Sequence, residues 1–458
     1  MKKVIFIVCL FIFYVFLFFV TKKIVIYAQY RKISLNNLNT VSTKINCEQA
    51  LDDIDRLNSL IQEKYAGYEF YSKNFEKTYI ELNKKYKYLK RNEYINTNLF
   101  YDDLINAYDF IKDGHFCFCK MVPNGIIEIS HMYNHYNMYF SDVFLQKKNH
   151  LYILHTDDKE YILTEESISQ MCDKKIFLLF YPSKGCDFYQ IGILSQEKLN
   201  EINLCFDGDV KTISLHMDNS IDYHFEVTEN NNSKPYINTK ESDKSIYIAC
   251  NTFSFYDKEN VKKINKIIEN LEFNDKKNII LDFRGNQGGY LKYPLKILST
   301  ILFKEKKVRY KFIKENIKED IRIVSFLGCN KKLVKKNKNI NFICDTKANL
   351  FILVDQNTVS AAERAIQILK RIDNLDYKII GTNTAGVLKS ANPYKYKLDN
   401  SNIYVCIPKA FQKDISCEEY GIFPDVWAKK DDILNTLVLY TEDYELNNLL
   451  KNVNYQLE

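Results

Sequence analysis

Apolar residues recur at helical spacing in three early stretches: CEQALDDIDRLNSLIQEKY from Cys47, FEKTYIELNKKYKYLK from Phe75 and NTNLFYDDLINAYDFIKD from Asn96. This periodicity predicts a small helical domain over 45–118. It should close at Asp113-Gly114-His115, where the glycine stops the third helix and strand-like alternation begins. From 120 to 235 short apolar runs such as HLYILHT, KIFLLFY and FYQIGIL are broken by Asn, Asp, Ser and Gly, the pattern of a β-rich insert domain. From about 240 to 435 buried-type strands (IYIAC, NIILDFR, LFILVDQ, YKIIGT, IYVCIP) alternate with amphipathic helices (NVKKINKIIENLEF, YLKYPLKILSTILF, AAERAIQILKRI), which predicts an α/β domain. The lysine-rich stretch around 304–347 reads as an exposed excursion from it, and 436–458 as a C-terminal tail or helix.

Residues 4–20, VIFIVCLFIFYVFLFFV, form an uncharged apolar run flanked by Lys2, Lys3, Lys22 and Lys23. The run is at the short end of what spans a bilayer. It is either an uncleaved signal anchor or a signal peptide cleaved near Ala28; Ile26 and Tyr27 make a poor small-x-small site, which favours the anchor. Residues 1–30 are therefore expected to direct the chain to a membrane, with the remainder outside the cytoplasm or secreted. The lysines on both sides leave orientation open.

Composition narrows the function classes. A formal charge of +6 comes from scattered Lys and Arg rather than from one block, so nucleic acid is not an expected partner. The 12 cysteines show no CxxC pair and no Cys/His metal spacing, so no metal and no cofactor are expected. Cys117 and Cys119 would share one face of a strand, and the disulfide pattern stays open.

Four segments carry candidate chemistry. Ser360 lies where an apolar strand meets a helix, placing a hydroxyl beside helix N-terminal amides that could hold an oxyanion. The same serine, with Glu363 three residues on, also satisfies a capping box, a complete structural explanation. In NIILDFRGNQGGYLKYP the Gly288-Gly289 pair lets backbone amides approach a ligand, or simply makes a tight turn. The segments GTNTAGVLKS and Glu418 to Asp425 complete the set.

Together and in this order, the segments resemble the C-terminal-processing (tail-specific) peptidase family S41. The resemblance rests on D-x-R-x-N-x-G-G (Asp282 to Gly289), S-A-x-E (Ser360 to Glu363), G-x-x-T-A-G (Gly381 to Gly386) and E-x-x-G-I-x-P-D (Glu418 to Asp425). It covers about 240–430 and reaches the helical domain through Asp113 to His115; it does not cover 120–235, where many members carry a PDZ domain. It implies a crotonase-like or ClpP-like α/β fold and hydrolysis of a peptide or protein substrate through an acyl-enzyme. Ser360 would be the nucleophile, with Gly288, Gly289 and Ala361 supplying the oxyanion hole. Members with a Ser/Lys dyad carry the lysine where this chain has Val387. The resemblance is therefore to the tricorn-like type, with His115 as base and Glu418 supporting it. Gly114 stands where that type has a serine, and Lys389 is the other candidate base. For His115 the competing reading is a helix terminator. Two other functions compete: an inactive binding or sensing protein on the same fold, and a crotonase-like acyl-CoA enzyme.

Overall fold

The computed structural model describes residues 39–454 apart from internal stretches, the longest being 165–174, 218–236, 333–343 and 412–419. The apolar run 4–20 lies outside the described residues; among those described, no helix is long and apolar enough to cross a membrane.

The three early helical patterns become α1 (Cys47–Lys64), α2 (Tyr68–Lys87) and α3 (Thr97–Ala107), with a short ribbon of β1 (Lys44–Asn46) and β2 (Tyr94–Asn96) leading into α1 and α3. Asn46 and Gln49 form a reciprocal capping box that starts α1. The third helix ends before Gly114: α3 stops at Ala107, and Asp113-Gly114-His115 opens a strand, β3 (Asp113–Met121). The helix-terminator reading of His115 is thereby overturned, because extended pairing with β4 (Ile127–Met132) takes over this backbone.

β5 (Asn137–Lys148), β6 (Leu151–His155), β7 (Glu160–Thr164), β8 (Ile176–Phe180), β9 (Phe188–Ser195), β10 (Glu201–Phe206) and β11 (Asp209–Met217) form an antiparallel set. The chain then enters the α/β region through β12 (Ile237–Glu241), β13 (Ser245–Cys250), α4 (Lys258–Glu269), β14 (Asn278–Asp282), α5 (Lys292–Leu302) and α6 (Lys306–Glu319). It continues with β15 (Ile323–Phe326), β16 (Cys329–Lys332), β17 (Asn349–Val354), α7 (Ala361–Leu369) and β18 (Tyr377–Gly381). A hairpin of β19 (Ser390–Lys397) and β20 (Tyr404–Phe411), then β21 (Val426–Ala428), α8 (Ile433–Thr441) and α9 (Tyr444–Asn454), complete the described chain.

Two sheets organise these elements. In the larger, β13, β14, β17, β18, β21 and β8 run parallel in that order. Strand residues alternate between its faces: Ile246, Ile279 and Ile352 pack under α4, α5 and α7, while Tyr247, Ile280 and Leu353 pack against α8 and α9. Both faces are covered, which is why NIILD is apolar almost throughout. The smaller sheet, β16-β15-β20-β3-β4 with β19 on β20, presents Phe116, Phe118, Val405 and Ile407 to α1–α3.

Within 120–235, β4 belongs to the smaller sheet, and β5–β11 join the larger one rather than forming a sheet of their own, because β8 pairs with β21. Stacking of Phe177 on Trp427, with ring centroids 3.7 Å apart, seals that short junction. The lysine-rich stretch is more than an exposed excursion: α6 buries Phe312 against Phe303, and β15 pairs with β20. Lys306, Lys307, Lys311 and Lys314 line the solvent side of a helix whose apolar residues reach the core.

Trp427 is the single tryptophan of the chain and so reports on this junction. Replacing Phe177 with alanine should cost about 3–5 kcal/mol, lower the denaturant midpoint and shift the Trp427 emission to the red; unchanged emission and midpoint would show that the stacking does not hold the two parts of the sheet together.

Candidate active site

Ser360 stands where β17 gives way to α7, with φ 55° and ψ −108°. A side-chain-bearing residue at positive φ costs on the order of 1–3 kcal/mol and persists only where its surroundings impose it. They do so here through several bonds. The Ser360 amide donates to Glu363 Oε2 (2.7 Å), the Ser360 carbonyl accepts from Arg364 N (2.8 Å), and Val359 N donates to the Asn286 carbonyl (2.8 Å). The hydroxyl thus projects from the turn, and Ser360 Oγ lies 2.9 Å from His115 Nε2. Two side chains separated by 245 residues in the chain meet at hydrogen-bond distance.

Glu363 is wholly buried and accepts from Thr384 Oγ1 (2.6 Å) and from the amides of Gly386 (2.7 Å) and Val387 (3.0 Å) besides that of Ser360. The capping-box expectation holds for its bond to the Ser360 backbone, and the carboxylate extends further, fastening the 381–387 loop to the Ser360 turn. Burial raises its pKa above the usual carboxylate value; the Thr384 hydroxyl and then the three amides pull it back part of the way.

The glycine-rich turn after β14 is built around Asn286. Its side chain donates to the Cys250 carbonyl (2.6 Å) and accepts from the Gly288 amide (2.9 Å). Asp282 and Arg284 at its base pair closely, with Arg284 Nη2 2.6 Å from Asp282 Oδ2. Gly288, at φ 82°, leaves no room for a side chain: a Cβ would fall 2.7 Å from the Val359 carbonyl oxygen and 3.0 Å from the Ala361 nitrogen. The expected oxyanion role of Gly288 therefore changes. Its amide is committed to Asn286, and its contribution is to leave open the space beside the Ala361 amide.

His115 comes from the other sheet and is positioned through Asp113. That buried carboxylate accepts from the His115 amide (3.1 Å), from Tyr65 Oη (2.8 Å) and from Ser390 Oγ. Burial lifts the Asp113 pKa, against the lowering effects of Ser390, Tyr65, the His115 amide and Lys389. Lys389 is placed by Tyr71 and Phe411, its Nζ 3.5 Å from Tyr71 Oη and over both rings. Val387 is buried with Val359 and Ala385. Glu418 lies outside the described residues. Asp425 fixes β18, accepting from Ile379 N at 2.7 Å. Among the described residues, no group of three or more His, Cys, Asp or Glu side chains could hold a metal ion.

Tyr65 and Ser390 as positioning residues escape the sequence patterns, whereas Asn286 is the asparagine of D-x-R-x-N-x-G-G. Tyr65 reads as one more apolar position ending α1, and Ser390 as a polar residue opening a strand; their partner Asp113 is distant in the chain.

Residues 244–428, which span most of the α/β region, match the family model described as Peptidase family S41. No curated protein gives a significant sequence match. Among solved structures, the chain is similar to mature CPAF (14% identity, 90% of this chain and 98% of that one, TM-score 0.41). It is also similar to the photosystem II D1 C-terminal processing protease (12%, 84% and 93%, TM-score 0.36). A lipoprotein from Streptococcus agalactiae gives 18% identity over 46% of this chain and 70% of that one, with a TM-score of 0.31.

Because burial holds the Glu363 pKa above its unfolded value, the folded state binds that proton more tightly. The stability contributed by this group is present below the unfolded pKa and is lost as pH rises through the folded one. Glu363→Gln should remove that part of the pH slope just above the ordinary carboxylate range. It should also destabilise by about 3 kcal/mol, since an amide nitrogen would face donors the carboxylate now accepts from. Denaturant titrations of both proteins across that range check the sign; parallel slopes would refute it.

Proposed function

We propose that this chain is a serine-type peptidase of the Ser/His kind, hydrolysing peptide bonds through an acyl-enzyme. The observation that carries this reading is the 2.9 Å contact between Ser360 Oγ and His115 Nε2, made by a serine held at positive φ at a strand-to-helix turn. His115 takes the Ser360 proton as Oγ attacks the scissile carbonyl, then returns it to the leaving amine; in the second half-reaction it activates water in the same way. The Ala361 amide, with that of Gly289, receives the developing oxyanion, and a single such donor typically supplies about 3–4 kcal/mol of transition-state stabilisation. Glu418, from the family-like segment 418–425, supports the imidazolium that forms on His115.

The buried Val387 at the dyad position, and the placement of Lys389 by Tyr71 and Phe411, support histidine rather than lysine as the base. Ser360→Ala and His115→Ala should each lose roughly 10⁴–10⁶-fold in kcat, and neither should be labelled by a fluorophosphonate. Lys389→Ala should remain labelled and keep most of its turnover. Loss in Lys389→Ala with retention in His115→Ala would make lysine the base, and an unlabelled wild-type protein would favour the inactive binding protein.

The substrate-facing part is further proposed to act outside the cytoplasm, tethered by residues 4–20, on the strength of that apolar run. Reporter fusions at the C-terminus should report export; a cytoplasmic signal would overturn the tether and its orientation.

A further inference from the structure

The strand that delivers His115 carries two cysteines on the same side of the chain, Cys117 and Cys119, and both are buried against Cys406 of β20. All three are free thiols, buried together in one small cluster with Ile127 and Tyr404. The antiparallel register makes the two contacts unequal. Cys117 lies directly opposite Cys406, whereas Cys119 lies opposite Tyr404, so Cys119 and Cys406 are diagonal neighbours. Directly opposed residues in an antiparallel pair have Cα atoms about 4.5–5.5 Å apart, and diagonal ones about 7–8 Å. A disulfide spans about 4.4–6.8 Å between Cα atoms. The backbone therefore already holds one of the two pairs at bridging distance.

We propose that Cys117 and Cys406 are a disulfide site, closed by exchange with a low-molecular-weight disulfide and tying the His115 strand to its neighbour β20. The Cys117 thiolate attacks one sulfur of the small disulfide, forming a mixed disulfide and expelling one thiolate. The Cys406 thiolate then attacks the Cys117 sulfur, forming the protein bridge and expelling the second. Two protein thiols are oxidised, one small disulfide is reduced to two thiols, and the two protons lost by the protein go to those leaving groups. Closure keeps the register and draws together opposed Cβ atoms about 4.5–5.5 Å apart to the roughly 3.5–4.5 Å of a disulfide, and it fixes β3 two residues from His115. The site is independent of the chemistry proposed for Ser360.

The test uses the native protein incubated with oxidised glutathione, alkylated under denaturing acid-quenched conditions, and digested with trypsin without reduction. Cys117 and Cys119 fall in one tryptic peptide, DGHFCFCK, and Cys406 in another, LDNSNIYVCIPK. The expected product is these two peptides joined, lighter by two hydrogens than their sum and with the remaining cysteine alkylated. It should persist in Cys119→Ala and vanish in Cys117→Ala and in Cys406→Ala. Circular dichroism of each variant distinguishes a missing bridge from a missing fold, and alkylation of Cys47 and Cys250 in the same digests shows that linkage is not general. Joined peptides that survive Cys117→Ala but not Cys119→Ala would overturn the assignment of Cys117. Full alkylation of all three thiols in folded wild-type protein would overturn the site itself.

Discussion

The geometry of the site depends first on one buried carboxylate. Glu363 collects the amides of Ser360, Gly386 and Val387 and the hydroxyl of Thr384, four donors from two segments that would otherwise meet only by apolar packing. Burying a carboxylate is costly unless its oxygens are occupied, and here the occupation supplies the constraint. A serine at φ 55° would relax toward an ordinary helix N-cap if its amide were not held. Asn286 closes the turn from the opposite side, taking the Val359 amide on its carbonyl while its side chain binds the Gly288 amide. The Ser360 turn is thus gripped by a carboxylate from its own helix and by a glycine-rich loop from the neighbouring strand.

The second constraint is that Ser360 and His115 belong to different cores. Ser360 rides on the parallel sheet and its helices, whereas His115 rides on a strand that packs against the N-terminal helices. A pair built this way has the right separation only if the two layers are fastened close to the site. Ser390 does that fastening: it opens β19, lies three residues beyond Val387, and donates to Asp113, whose carboxylate also holds the His115 amide.

How much of this was legible in the sequence follows from how local each interaction is. The strands NIILD and LFILV, the helix after Ser360 and the bond from Glu363 to the Ser360 amide span a few residues and could be read from spacing. The end of the third helix is not legible in the glycine at 114, because the pairing of β3 with β4 and β20 decides where extended backbone begins. The union of β5–β11 with the larger sheet was not legible either. It rests on β8 meeting β21 over two residue pairs, and on an aromatic stack between residues that no local pattern connects. His115 itself was singled out through the family resemblance; by its own neighbourhood it was one polar residue after a glycine.

These contacts form a closed circuit, and that closure explains why local motifs so far apart in the chain have to appear together. Starting at Ser360, the amide reaches Glu363, Glu363 takes the Val387 amide, the chain runs on to Ser390, and Ser390 bonds Asp113. Asp113 holds the backbone of His115, and the His115 ring returns to the Ser360 hydroxyl. Gly421 lets a further segment join: its missing side chain admits the Thr384 carbonyl, and Ile422 binds the Thr384 hydroxyl that also donates to Glu363. Each motif read along the sequence is one arc of this circuit, with glycine where backbones must cross closely and a carboxylate where amides from two segments must share an acceptor. Loosening any arc lengthens the path between a hydroxyl and an imidazole that must stay within one hydrogen bond, so the motifs constrain one another even where their residues never touch.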